Sequence, residues 1–321
     1  ALAEGGAIQL QKTSSGTGEQ STFDISSIAT NNTLAITEPV TIDLNGQKLT
    51  NSTNPETSIV IENKAGNTLT IKDSSTETQN KSVRAEEVPT GGVLALSRLP
   101  FDNYGTLNIE GGTFKTTYKG KGAIVWNNPG ATLNITGGTF DASYTAIMNE
   151  GEATLSGATL KSRSSNQDKE GYSYAIICKG KNARMTIKNG TYQGVQGCVA
   201  VNTSAEIIIE DGTFSTVNTP EHNDAWHAVY TSTGGKCTIK GGQFSTPVEN
   251  TGEQGRCVTT GNEDNKDLLN GILILKGGEF STKAYDRSYK KVINPAEGYI
   301  YQDITDGGIY KYQIVKKNSG D

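Results

Sequence analysis

An eight-residue pattern returns through most of this chain and limits what it can fold into more than any other feature. Two apolar residues alternate with polar ones, a glycine turn follows, and an aromatic residue closes the unit. The alternation predicts a strand with one buried face, and glycine permits the positive φ of a sharp turn. The copies are LNIEGGTF (107–114), LNITGGTF (133–140), MTIKNGTY (185–192), IIIEDGTF (207–214), CTIKGGQF (237–244) and LILKGGEF (273–280), with degenerate copies ATLSGATL (153–160) and TIDLNGQKL (41–49).

A second short segment recurs between the copies of the first. Each period therefore predicts three short strands in a coil that buries its inward side chains only by stacking on the next coil. We predict an all-β parallel solenoid of about ten coils, rising about 4.8 Å per coil. A β-propeller is the alternative, but its blades need four antiparallel strands and a near-constant period. The recurring segments are AIVWN (123–127), AIMN (146–149), AIIC (175–178), VAVN (199–202), AVYT (228–231) and CVTT (257–260).

Asparagine closes this second segment in three places, at Asn127, Asn149 and Asn202. Stacked coils would place these residues above one another. We therefore predict an internal asparagine ladder that satisfies the backbone groups of the turn.

The two ends of the chain are expected to cover the open ends of the stack. GYIYQDITDGGIYKYQIV (298–315) predicts a β-hairpin cap with a turn at TDGG. We divide the chain into an N-terminal cap or first coil (1–33), the coils (34–285), and a C-terminal hairpin cap and tail (286–321), all in one structural domain.

Composition narrows the class of partner. The chain of 321 residues has 38 glycines and a net charge of −5, and its lysines and arginines are scattered. A surface that binds nucleic acid or an anionic membrane normally carries a basic patch. We therefore expect neither of these partners. Because no apolar run reaches the length of a membrane-spanning helix, we expect no membrane-embedded segment.

Four cysteines and two histidines give little sign of a metal site. No CxxC pair is present, and Cys198 and Cys257 fall two coils apart, beyond the reach of a disulfide. We predict four free, mostly buried thiols. We expect no cofactor; a Ca²⁺ site at NEDNKD (262–267), using Asp264 and Asp267, would lack EF-hand spacing.

The chain resembles the right-handed single-stranded parallel β-helix proteins of the pectate-lyase-like superfamily. More narrowly, it is similar to repeat-bearing surface proteins of gut-dwelling Gram-positive bacteria. The resemblance covers about residues 34–315 and is carried by TIDLNGQKLT, the serial GGTF turns and EGYIYQDITDGGIYKYQIV. It implies a right-handed helix and an extracellular or cell-surface location. It implies no activity, because this fold hosts lyases, hydrolases, phage-tail proteins and adhesins.

Long insertions gather at one corner of the predicted coil, at 161–174, 215–227 and 245–256. Insertions on one side of a solenoid usually mark its binding side. A shorter connection between them, at 193–197, predicts a shallow groove floored by Tyr192, Gln193 and Gln196. In such a groove aromatic rings stack on sugars and polar groups bind hydroxyls. The candidate residues are Tyr172, Tyr174, Tyr192, Gln193, Gln196, Glu221, His222, Asp224, Trp226, His227 and Arg256.

These features favour a non-catalytic secreted or surface protein, expected to be monomeric, that binds a glycan or a host surface. A polysaccharide lyase or glycoside hydrolase using the same groove is the alternative, since acids are plentiful. The polygalacturonase-like elements are absent, and HNDAWH (222–227) does not match Gly-His-Gly. A passive structural spacer is the third interpretation.

Overall fold

The computed structural model describes residues 5–11, 22–25, 28–50, 60–75, 92–95, 100–116, 122–163, 174–218, 226–247, 255–261, 270–306 and 308–318. Within these ranges the regular structure is β-strand and no α-helix occurs. None of the described residues forms an apolar helix of membrane-spanning length. The strands are β1 (Gly6–Gln9), β2 (Thr22–Asp24), β3 (Thr33–Ile36), β4 (Val40–Asp43), β5 (Lys48–Thr50), β6 (Val60–Asn63), β7 (Thr68–Lys72), β8 (Gly92–Ala95), β9 (Phe101–Asn103), β10 (Thr106–Ile109), β11 (Thr113–Thr116), β12 (Ala123–Asn127), β13 (Thr132–Ile135), β14 (Thr139–Ala142), β15 (Thr145–Asn149), β16 (Glu152–Leu155), β17 (Ala158–Ser162), β18 (Tyr174–Lys179), β19 (Arg184–Ile187), β20 (Gly190–Gly194), β21 (Gly197–Asn202), β22 (Glu206–Ile209), β23 (Thr213–Thr216), β24 (Val229–Thr231), β25 (Lys236–Ile239), β26 (Gln243–Ser245), β27 (Val258–Thr260), β28 (Ile272–Leu275), β29 (Glu279–Phe280), β30 (Tyr285–Asp286), β31 (Lys291–Val292), β32 (Tyr299–Asp303) and β33 (Tyr312–Lys316).

The strands form three sheets, in which each strand from β1 to β27 pairs in parallel with the strand three places further along the chain. Sheet A runs from β1 through β4 and β7 to β28, sheet B from β2 through β5 and β8 to β29, and sheet C from β3 through β6 and β9 to β30. The chain therefore visits the sheets in turn and returns one strand further along. This is an all-β parallel solenoid, and the parallel pairing excludes the antiparallel blades of a propeller.

The register of the sheets superposes the repeats residue on residue. Leu107 pairs with Leu133 in sheet A, and Phe114 pairs with Phe140 in sheet B. Like residues therefore stack in continuous columns of the core, as the pattern predicts.

The aromatic residue of each copy forms the most regular column. All of these rings are buried, and neighbouring rings stack with centroids 4.7 to 5.1 Å apart. Leu160, from a degenerate copy, lies between Phe140 and Tyr192. The stacked pairs are Phe114–Phe140, Tyr192–Phe214, Phe214–Phe244 and Phe244–Phe280.

The glycine turn before each aromatic residue is required by the backbone. Gly242 has φ +96°, and a Cβ atom there would lie 2.8 Å from the carbonyl oxygen of Gly212 in the preceding coil. That carbonyl accepts a hydrogen bond from the Gln243 amide at 2.8 Å. Adjacent coils thus approach too closely at this corner for a side chain.

The asparagine ladder exists, but its members differ from those predicted. Asn127 and Asn149 belong to it, and the prediction is confirmed for both. Asn63 and Asn103 extend it upstream, and Cys178 ends it by accepting from Asn149 at 3.3 Å. Asn202 was wrongly included, because it pairs with Lys179 and Val201 occupies the ladder position. Asn202 lies one position beyond the ladder position, so its side chain faces the opposite side of the strand.

All four cysteines are free and buried, which confirms that prediction. Cys198 and Cys257 directly precede Val199 and Val258, which lie in one column of sheet C two coils apart, and Cys237 lies in sheet A. Burial raises the pKa of each thiol, to about 11 for Cys178 and about 12 for Cys237. A buried thiol held in the protonated form behaves as a small apolar residue.

The chain ends in an antiparallel hairpin. β32 pairs with β33, and β33 pairs antiparallel with β29 of sheet B. The Tyr301 ring meets Phe280 edge to face at 6.5 Å, and Tyr312 meets Tyr301 at 6.3 Å. At the other end, β1 and β2 already pair in parallel with β4 and β5.

Candidate functional site

The predicted corner lies where the chain leaves sheet B and enters sheet C. Tyr174, Gln196, Trp226, His227 and Arg256 all lie at this corner, as the loop pattern predicts. The Trp226 amide donates to the Gln196 carbonyl of the coil before it at 2.9 Å, and the His227 ring contacts the Arg256 carbonyl of the coil after it. The candidates outside the described residues are Tyr172, Glu221, His222, Asp224, Asp264 and Asp267.

Tyr192 and Gln193 belong elsewhere, which corrects the predicted floor of the groove. Tyr192 is a rung of the aromatic column, and its hydroxyl donates to the Asn189 carbonyl at 2.9 Å. It cannot present a ring face to a ligand because its position in the repeat points into the core. Gln193 follows it on the outer face of sheet B, in register with Lys161 and Ser215.

A row of outward-facing residues on sheet C continues from the corner. Side chains alternate between the two faces of each sheet C strand, so the residue at the ladder position is buried. The residue directly before it points outward and is half-buried in β12, β15, β18 and β24. We call this row the sheet C outer row. It contains Glu62, Asp102, Trp126, Met148, Ile177, Ala200, Tyr230, Thr259 and Tyr285.

Aromatic rings fill the middle of this face where two small residues leave room for them. A Cβ atom on Gly197 would overlap the Tyr174 ring, and Ala200 is buried. Tyr174 stacks on Tyr230 with centroids 6.4 Å apart, and His227 stacks on Tyr230 at 5.9 Å. The rings of Tyr174, His227 and Tyr230 therefore fill the position at which the sequence predicts a groove.

His227 is held neutral in this aromatic cluster. It is buried, its Nδ1 donates to the Arg256 carbonyl at 2.8 Å, and its Nε2 has no hydrogen-bond partner among the described residues. Burial lowers its pKa to about 4, and the nearby Arg287 charge acts in the same direction. A neutral His227 with a free acceptor nitrogen packs as a polar ring and carries no charge at neutral pH.

Arg256 supplies the positive charge beside the cluster. Its guanidinium carbon lies 4.9 Å from the centroid of the Tyr285 ring. Its Nε is buried with no hydrogen-bond partner among the described residues. An arginine stacked on an aromatic ring is oriented to bind an oxygen-rich group.

The other end of the sheet C outer row is acidic. Glu62 and Asp102 are in register, and Asn128 donates to Asp102 at 2.5 Å. Burial raises the pKa of Asp102, and the Glu62 charge adds to this, while hydrogen bonds from Asn128 and Tyr104 oppose it. A carboxyl of this kind accepts or shares protons more readily than an exposed one.

Trp126 joins the acidic end to the middle of the face. Trp126 is half-buried, and its backbone pairs in register with Asp102 on one side and Met148 on the other. Lys179 Nζ lies 5.2 Å from the ring centroid and 3.2 Å from Glu150 Oε1. An indole beside a carboxyl, an ammonium and an amide presents both a stacking surface and hydrogen-bonding groups.

Sequence reasoning missed Trp126, Tyr230 and Asp102 because it looked for function in the loops. The signal was present in the recurring strand, where the residue before the ladder position faces outward. It reads Trp in AIVWN, Met in AIMN and Tyr in AVYT. No group of three or more histidine, cysteine, aspartate or glutamate residues is placed to hold a metal ion in the described part of the chain.

Compared with protein-family models, curated proteins and solved structures, the chain has no significant match in any of the three.

Proposed function

We propose that this chain is a non-catalytic, secreted or surface-held bacterial protein that binds carbohydrate through the sheet C outer row and the adjoining corner. The observation that carries the proposal is that partly exposed aromatic rings lie along one face of a rigid parallel sheet, Trp126 beside Asp102 and Tyr230 and Tyr285 toward Arg256. Ring faces stack on sugar rings, while carboxyl, amide and guanidinium groups bind hydroxyls. An extended glycan matches this geometry because the row is linear.

The proposal includes the finer architecture that the resemblance implies. The helix is right-handed, belongs to the pectate-lyase-like superfamily, has about ten coils and is capped by the β32–β33 hairpin. The antiparallel pairing of β33 on β29 supports the cap, since it ends the parallel edge of sheet B. The chain acts as a monomeric display rod on the surface of a Gram-positive bacterium.

A glycan array probed with the wild-type protein tests the function. Trp226→Ala and Trp126→Ala should each weaken binding of the recognised glycan by about tenfold or more, about 1.4 kcal/mol. Tyr289→Ala is the matched control, because Tyr289 is 69% exposed and lies outside the row. Circular dichroism of each variant checks that the sheets persist. No binding on the array, or binding that neither tryptophan variant changes, would refute the proposal and leave the passive spacer.

Catalysis is the second candidate, favoured by the raised pKa of Asp102 next to Glu62. Paired carboxyls are the groups that glycoside hydrolysis requires. Incubation with neutral and uronate-containing polysaccharides should then release reducing or unsaturated ends, and Asp102→Asn should abolish the release. Binding without any release of products supports the non-catalytic proposal.

A further inference from the structure

A polar groove runs along the glycine corner between sheets A and B, away from the sheet C outer row. It is open to solvent and has a volume of about 540 Å³ over the last four coils. The turn glycines Gly190, Gly212, Gly242 and Gly278 line its floor. Because these positions cannot carry side chains, a trough is left open along the corner.

The walls of this groove supply hydrogen-bonding groups. Asn189 and Asp211 stand on one side, and Thr213, Gln243 and Glu279 stand on the other. Gln243 Nε2 donates to Glu279 Oε2 at 2.9 Å, which fixes both side chains. The Asp211 carboxylate accepts from the Gly212 amide at 2.8 Å, so this wall is held in place as well.

The C-terminal hairpin closes one end. Glu279 pairs with Gln313 of β33, and Ile314 next to it lines the groove. Gln313 Nε2 donates to Gln302 Oε1 of β32 at 3.1 Å. The groove therefore has a defined terminus, as a site for the end of a chain-like ligand would.

Two wall residues differ from those at the same position in the coils directly before them. In the outer row of sheet B, five consecutive coils have threonine, ending at Thr213. The row then changes to Gln243 and Glu279 where the hairpin closes the groove. Threonine is enriched in strands, whereas glutamate is depleted. Gln243 and Glu279 therefore place an amide and a carboxylate where the five coils before them have hydroxyl groups.

From these observations we infer a second binding site in this groove, for an oligosaccharide that carries hydroxyl and amino or amide groups and no acid. Among the described lining residues the charged side chains are Asp211 and Glu279, both carboxylates. Carboxylate and amide oxygens accept hydrogen bonds from hydroxyl and ammonium groups, and they repel acidic sugars. This site is separate from the proposed sheet C surface and does not depend on it.

Calorimetric titration with three hexasaccharides tests the inference, using glucosamine, N-acetylglucosamine and galacturonate chains. We expect the glucosamine hexamer to bind most tightly, the N-acetylglucosamine hexamer next and the galacturonate hexamer least. The double variant Gln243→Thr/Glu279→Thr continues the threonine row, so it should keep the fold and lower affinity for glucosamine hexamer by tenfold or more.

The matched control reverses these substitutions in upstream coils. Thr139→Gln/Thr159→Glu places the same side chains in the same row, where no hairpin closes the corner, and should leave affinity unchanged. The loss caused by Gln243→Thr/Glu279→Thr should persist when it is measured in a Trp226→Ala background, which separates this site from the sheet C surface. Three outcomes would overturn the inference: no binding at millimolar hexamer, equal binding by the threonine-row variant, or loss of all binding at about 0.5 M salt, which would indicate surface charge attraction only.

Discussion

His227 is a buried ionisable group whose protonation opposes folding. Burial lowers the pKa of His227 in the folded protein to about 4, from the ordinary histidine value of 6.5. Between these values the unfolded chain binds a proton that the folded chain does not, so stability falls as pH falls from about 6.5 to 4. The shift corresponds to a loss of about 3 kcal/mol across that window.

We therefore predict that His227→Gln reduces the pH dependence of stability. Between pH 7 and pH 4, the free energy of unfolding of the wild type should fall by about 3 kcal/mol more than that of the variant. Urea unfolding at several pH values measures the difference. His222 is retained in both proteins, so its titration cancels. Parallel curves for the two proteins would show that His227 is not held neutral by the fold.

Among the structural elements, the asparagine ladder ties adjacent coils together inside the solenoid. Asn127 receives a hydrogen bond from Asn103 at 2.7 Å and donates to Asn149 at 2.7 Å. It also donates to the Glu152 carbonyl at 3.0 Å. One side chain thus satisfies groups from three coils, and its loss leaves buried polar groups unpaired.

Asn127→Ala should lower the free energy of unfolding by about 3 to 5 kcal/mol, since each orphaned buried group costs about 1 to 3 kcal/mol. Chemical denaturation measures this change. Asn202→Ala is the control, because Asn202 lies outside the ladder and should change stability by less than about 0.5 kcal/mol. Equal effects at the two positions would mean that the ladder does not stabilise the stack.

The ladder also shows where sequence reasoning succeeds and where it stops. Apolar alternation and the glycine turn specify sheet A and sheet B, because a one-residue slip would expose Leu107 or Phe114. The sheet C strand of each coil is short and follows a connection of variable length, so the amino-acid sequence alone does not fix its register. Aligning VAVN with AIMN predicts Asn202 at the ladder position, whereas the structure has Val201 there and Asn202 one residue beyond it. The candidate surface is missed for a different reason, because the long insertions point to the loops, whereas Trp126 and Tyr230 face outward from the strands themselves.

Considered as a whole, the molecule is a stack in which each coil contacts mainly its two neighbours. In such a molecule stability is a sum of local terms, and coils near an end have less support. The four buried cysteines lie in different coils and can report this, because a buried protonated thiol does not react until its coil opens.

We predict that thiol labelling is negligible in the native protein and reaches four equivalents after unfolding. At intermediate urea concentrations Cys257, nearest the C-terminal end, should be labelled before Cys178, which lies in the interior of the stack. Peptide mass spectrometry gives the rate for each residue. Identical rates at all four positions would instead indicate one all-or-none unit.

The connection from sheet B to sheet C spans only residues 143–144 in one coil and 163–173 in the next, yet β14, β17 and β20 pair without a shift in register. Because neighbouring coils set each strand's position, the length of this connection is free to change. The residues of this connection can therefore change in number and type in any one coil, while the register of the three sheets stays the same. Variation among descendants of this protein would then accumulate in the connections, and a foreign peptide grafted between Ala142 and Thr145 would be held at a fixed height along the rod.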